Sequence, residues 1–216
     1  MKLRTRLLST AAAIALSAVT LPAAAVDYFF GATDVGGFGA PTYGKVSLTE
    51  VGTSVLFNVQ LDPEFNFVTT GGHFVFSFNG TGVALADIGT VTDAGPQTFS
   101  VTSTNVKNPP FGTFNFGIEC ATVCKNGGPS GYNDPLTFTV ADSKISDFLV
   151  LSTAAGNLGP AYFAADVIWI ADDRNNGATG AIGVVTTPVP EPETYALFLA
   201  GLGAMGFVAK RRRKTA

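Results

Sequence analysis

The sequence predicts a mainly β protein: an antiparallel β-sandwich of about seven to ten strands, with an N-terminal signal peptide and a single C-terminal transmembrane helix. Three observations predict it. Between Val26 and Pro188 the dominant hydrophobic period is two, and no segment there carries a sustained helical stripe. Gly at 25 and Pro at 12 in 216 residues favour many turns over a few long helices. An apolar fraction of 46% with 18 Phe supplies a sizeable core. The segments divide as 1–25, 26–187 and 188–216.

The first segment has the three parts of a secretory signal. Lys2, Arg4 and Arg6 hold the start in the cytoplasm, Leu7 to Leu21 is apolar, and Pro22 breaks the run. Ala23 and Ala25 are the small residues a signal peptidase requires, so cleavage is expected after Ala25. The alternative, an uncleaved anchor helix, is disfavoured because the run is short for a span.

Along the body, Val55, Phe57, Val59 and Leu61 alternate with Ser54, Leu56, Asn58 and Gln60, as in a half-buried strand. Phe74, Phe76 and Phe78 alternate with His73, Val75 and Ser77; Phe114, Phe116 and Ile118 alternate with Thr113, Asn115 and Gly117. Leu136, Phe138 and Val140 alternate with Thr137 and Thr139. The run AYFAADVIWIAD is apolar on both parities, which predicts a central strand. Turn chemistry separates these runs at Asp62-Pro63, Asn79-Gly80, Ala94-Gly95-Pro96, Asn108-Pro109-Pro110, Asn126-Gly127-Gly128-Pro129 and Asn176-Gly177.

Charge is partitioned. From Val26 to Pro190 there are five basic and fourteen acidic residues, net −9, against −3 for the whole chain. An acidic body without a basic patch excludes nucleic acid as a partner.

Cys120 and Cys124 are the only cysteines, and in an exported chain their default is a structural disulfide. A zinc site would need carboxylates to complete its ligands, and a redox pair would show a different spacing and fold context. His73 is the one histidine and reads as a solvated residue at a strand edge; no Gly-x-Ser-x-Gly elbow occurs in the chain. Carboxylates such as Asp62, Glu64, Asp87, Glu119 and Asp166 are plentiful, but sequence cannot pair them across a cleft. Asp172 to Gly177 is oxygen-rich without the register or closing Glu of a calcium loop, so it reads as a polar hairpin loop, with a weak cation site as the alternative. Asn79-Gly80-Thr81 matches a glycosylation sequon but reads as a turn, and Trp169 reads as core. No catalytic residue, metal ligand or cofactor is assigned.

The last segment has its own order. Pro190-Glu191-Pro192 is held extended by its two prolines. Tyr195 to Ala209 is fifteen residues without a charge. As a helix it would be about 22 Å long, short against a hydrocarbon core about 30 Å thick. Snorkelling basic side chains and Tyr195 recover part of the mismatch. Lys210, Arg211, Arg212, Arg213 and Lys214 form a basic cluster that stays on the cytoplasmic side, leaving the body outside.

This arrangement from about Pro188 to Lys214 resembles the PEP-CTERM sorting signal of Gram-negative bacteria, which is read by membrane transpeptidases called exosortases. The resemblance implies a route: export through the secretion machinery and signal peptidase, transient arrest in the inner membrane, cleavage by exosortase near Pro190 to Pro192, and delivery to the cell surface or extracellular polysaccharide. The run GIECATVCKNGGPSGYNDPLTFTV followed by YFAADV is also similar to segments of other PEP-CTERM proteins, and brings no activity with it. The expected function is therefore that of a non-enzymatic surface or matrix protein associated with exopolysaccharide. A lectin-like glycan-binding module, calcium-assisted through Asp172 to Asn176, is the alternative. An extracellular hydrolase is the weakest reading.

Overall fold

The structure, a computed structural model, describes residues 25–36, 42–92, 98–121, 124, 133, 135–170, 177–186, 198, 201, 202 and 205. Eleven strands lie among them: β1 Ala25–Phe29, β2 Ala32–Thr33, β3 Gly44–Val51, β4 Ser54–Leu61, β5 Phe65–Phe67, β6 Phe76–Phe78, β7 Phe99–Thr102, β8 Phe116–Cys120, β9 Leu136–Val140, β10 Phe163–Trp169 and β11 Thr179–Val184. Single 3-10 turns occupy Leu85–Asp87 and Ile145–Phe148. The protein is mainly β, as the period-two pattern predicts. The strand number exceeds the expected seven to ten because short pieces join the sheets. β2 contributes two residues, and β5 and β6, of three residues each, divide one edge of β10 between them.

All the strand pairings are antiparallel. One sheet has four strands in the order β1-β3-β4-β9; the other has seven, β2-β11-β10-β6-β8-β7, with β5 also on β10. Alternation decides which face of the four-stranded sheet is buried. Val55, Phe57, Val59 and Leu61 of β4 and Leu136, Phe138 and Val140 of β9 are buried, while their neighbours reach solvent.

Both sheets contribute to one apolar cluster. Phe57 lies at its centre. Its ring stacks on Phe138 at 4.6 Å and meets Phe148 edge-on at 4.8 Å. Across the core it approaches Phe78 at 5.2 Å and Phe163 at 6.3 Å, both on the seven-stranded sheet. Such pairs add to area burial through the ring quadrupoles.

The seven-stranded sheet has a second, smaller cluster on its other face, made by Phe74, Val106, Phe111, Phe114, Ala161, Ala164 and Ala181. This corrects two predicted strands. Phe74 does not share a face with Phe76 and Phe78, nor Phe114 with Phe116 and Ile118; in each run the first Phe precedes the strand and turns to the opposite side. Gly117 and Gly183 make the room. A methyl group on Gly117 would overlap the Phe74 ring, and one on Gly183 the Phe111 ring. Covered on both faces, β10 is buried at every residue, the central strand its composition predicts.

Candidate functional site

Several expected features lie outside the described residues: Ala23 of the signal cleavage site, the sorting motif Pro190, Glu191 and Pro192, the basic cluster Lys210 to Lys214, and the Asp172 to Asn176 loop. Ala25, the expected last residue of the signal peptide, is the first residue of β1, exposed and opposite Thr49. In the tail, Phe198, Gly201, Leu202 and Met205 are helical, and Phe198, Leu202 and Met205 are exposed at spacings that share one helical face. Among the described residues no helix is long and apolar enough to cross a membrane.

Cys120 closes β8, and Cys124 lies buried four residues on, its Cα 5.9 Å from that of Cys120 and the sulfurs at disulfide-bonding distance. The Cys124 N–H donates to Cys120 Sγ at 3.3 Å. Its carbonyl accepts the Thr69 N–H at 2.8 Å, so this loop end is tied to the segment between β5 and β6.

That segment carries a charged cluster inside the fold, Asp166 with His73. β5 and β6 lie end to end along one edge of β10, and Asp166 occupies the gap between them. Its carbonyl accepts the Val68 N–H at 3.0 Å, and its own N–H donates to Val75 at 3.4 Å. Between Val68 and Val75 the chain loops out, turning at Gly71 and Gly72 with φ of 58° and 83°, values L side chains rarely adopt. The His73 N–H closes the turn on the Thr70 carbonyl at 2.8 Å. The Thr70 N–H and its hydroxyl both donate to Asp166 Oδ2 at 2.6 Å. Asp166 is 0% exposed.

His73 differs from its expectation as a solvated edge residue. Its side chain is 21% exposed and its Nδ1 stands 3.8 Å from Asp166 Oδ1, an ion-pair separation long for a hydrogen bond. The facing Asp166 carboxylate holds the His73 pKa above the ordinary imidazole value, chiefly by its direct attraction for the charged ring across this gap. Partial burial pulls the other way, and the charge of Asp34 adds to the rise. The Thr70 hydroxyl donates to the carboxylate and not to the imidazole, so these three side chains do not form a nucleophile–base–orienter chain. What the arrangement does physically is clasp a loop onto a buried charge. The sequence did hold a signal for it: Asp166 is the lone carboxylate in an otherwise apolar strand, and a buried charge needs partners.

The remaining candidates separate. Asp62 accepts from the Thr42 hydroxyl at 3.3 Å, Asp87 caps a 3-10 turn through the Ala84 N–H at 2.8 Å, and Glu119 is exposed on β8. Asn79 is buried, its side chain bonded to the Val150 carbonyl at 3.2 Å and the Asn115 N–H at 2.8 Å, and the chain bends just after it, at Thr81 and Gly82. Trp169 is 8% exposed and stacks on Phe65 at 6.1 Å, in the core as expected. Among the described residues no three His, Cys, Asp or Glu side chains converge as metal ligands.

With the body accounted for, the tail gives the class. The family model of the PEP-CTERM protein-sorting motif matches residues 188–213. The chain thus carries a PEP-CTERM protein-sorting motif over 188–213, and that motif supports exosortase-dependent sorting of an exported protein. No curated protein and no solved structure matches the chain.

Proposed function

We propose that the body is a non-enzymatic β-sandwich that serves as a structural component of the cell surface or extracellular matrix, retained with exopolysaccharide. Exosortase cuts the tail near Pro190-Glu191-Pro192 after the span around Tyr195 to Ala209 has halted briefly in the inner membrane. The observation that carries this reading is the sorting motif at 188–213, attached to a body whose one histidine and buried carboxylate are engaged in holding a loop. Two antiparallel sheets that share one aromatic core support the sandwich reading. Sulfurs at bonding distance in an exported chain support a Cys120–Cys124 disulfide.

The test is intact mass and fractionation in cells with and without exosortase. The reading expects loss of the tail and recovery with the polysaccharide fraction only when the enzyme is present. A tail still attached in enzyme-containing cells sinks the route, and a processed protein free of polysaccharide sinks the matrix role. A glycan-binding module is the second reading, favoured by the exposed Phe29 ring beside a polar sheet face.

A further inference from the structure

The two sheets expose very different outer faces. The outer face of the seven-stranded sheet is packed under the Phe74–Phe111–Phe114 cluster and the Thr70–His73 loop. On the four-stranded sheet, strict alternation sends Tyr28, Val46, Leu48, Phe57 and Val59 inward and a set of mostly uncharged polar groups outward. Register aligns them in rows. Phe29 pairs with Lys45, which pairs with Gln60. Asp27 pairs with Ser47, Ser47 with Asn58, and Asn58 with Thr137. Among the described residues the side chains of Ser47, Asn58 and Gln60 have no hydrogen-bond partner in the protein.

At one end of this face the first row borders a cleft of about 200 Å³ lined by Phe29, Thr42, Gly44, Lys45, Gln60 and Asp62, among others. Phe29 is 46% exposed, unusual for a ring in a chain that buries nearly every other described Phe. Gly44, with φ of 139°, lets β3 run close against β4 beside the cleft, because a methyl group there would overlap the Gln60 backbone. Around the cleft some polar groups pair internally and others are left to bind. Lys45 is neutralised by Asp27 at 2.6 Å. Asp62 Oδ2 accepts from the Thr42 hydroxyl at 3.3 Å, which leaves Oδ1 for an outside donor. Gln60 is exposed and carries both donors and an acceptor.

We infer that this cleft and the adjoining rows bind a neutral polysaccharide segment, one sugar ring stacked on Phe29, the hydroxyls of a neighbouring ring bonded to Gln60 and Asp62, and the chain continuing over Ser47 and Asn58. The inference rests on the matrix reading proposed above and names the surface that would serve it. An aromatic platform beside a few convergent amide and carboxylate groups matches a pyranose, which offers an apolar C–H face and a rim of hydroxyls. Charge selects among polysaccharides. The body from Val26 to Pro190 is net −9 and the one cation at the cleft is already paired, so an acidic polymer is repelled.

The experiment is affinity electrophoresis of the exported protein, isolated from exosortase-containing cells, in native gels holding dextran, a linear β-glucan or a galactomannan, with polygalacturonate as the acidic comparison. At least one neutral polymer should retard the protein, and Phe29→Ala and Gln60→Ala should each weaken that retardation tenfold or more. Ser100→Ala, on the other sheet, should leave it unchanged. Thermal melts confirm folding, and Gln60→Ala carries the test if Phe29→Ala is unfolded. Indifference to all three neutral polymers, retardation by the acidic polymer alone, or wild-type retardation of both cleft variants overturns the site. Fractionation separates the two ideas: variants that stay in the matrix while the gel shows no site leave the matrix role standing, whereas a wild type absent from the matrix removes that role whatever the gels show.

Discussion

Asp166 and His73 face each other at 3.8 Å, the carboxylate wholly buried in β10 and the imidazole largely covered on the loop between β5 and β6. The loop's only histidine is thus poised over a charge the fold cannot hydrate. The pair has a signed consequence. Because the folded His73 pKa is raised, the folded state binds its proton more tightly than the unfolded chain. That contribution is complete below the unfolded value of about 6.5 and is lost as pH rises through the higher folded value. Melts across this window should show stability falling with pH, and His73→Gln should flatten that part of the profile. An unchanged slope in the variant counts against the pair.

Asp166 also accepts from the Thr70 N–H and hydroxyl. Asp166→Ala should cost about 2–3 kcal/mol, since a buried donor left without a partner retains its desolvation penalty. Denaturant unfolding measures the loss, and amide exchange should speed up at Thr70 before it does in β4. Equal protection at Thr70 in the variant would show that the clasp does not hold the loop.

For the Cys120–Cys124 pair, alkylation without reductant should label neither sulfur. The closed loop is short, so replacing both cysteines with Ala should cost about 2 kcal/mol or less. Ready labelling of the exported protein contradicts the disulfide.

Phe57 joins the sheets through rings on both sides, at 4.6 Å to Phe138 and 5.2 Å to Phe78. Phe57→Ala should destabilise by about 3–5 kcal/mol, the usual cost of a large core cavity. A loss below 1 kcal/mol in urea titration would mean that the sheets do not depend on this contact.

The Tyr28 hydroxyl is buried without a hydrogen-bond partner among the described residues, and burial, with Tyr162 nearby, pushes its pKa up to about 12. Tyr28→Phe removes an unsatisfied polar atom and should leave stability unchanged or raise it by about 1 kcal/mol. Burial raises the Tyr43 pKa as well, so alkaline absorbance titration should show one fewer late-ionising tyrosine in the variant than in the wild type. A strong loss of stability in Tyr28→Phe would reveal a partner for the hydroxyl.

The legible parts were those in which neighbours in the chain decide the outcome. Alternation in β4 and β9 correctly separated buried from exposed side chains, because strand geometry puts adjacent residues on opposite faces. The same rule misplaced Phe74 and Phe114. Period two cannot show that a strand begins one or two residues later, nor that another layer waits on the far side of the sheet.

By itself the sequence determined the mainly β class, the central place of β10 and the sorting motif at 188–213, all carried by contiguous residues. Only the tertiary structure decided that Asp166 meets Thr70 and His73, far apart in sequence, or that Phe29 borders the cleft formed with Gln60 and Asp62. A local pattern records which face a side chain takes. What stands opposite that face depends on strand order and register, which arise from the packing of distant segments.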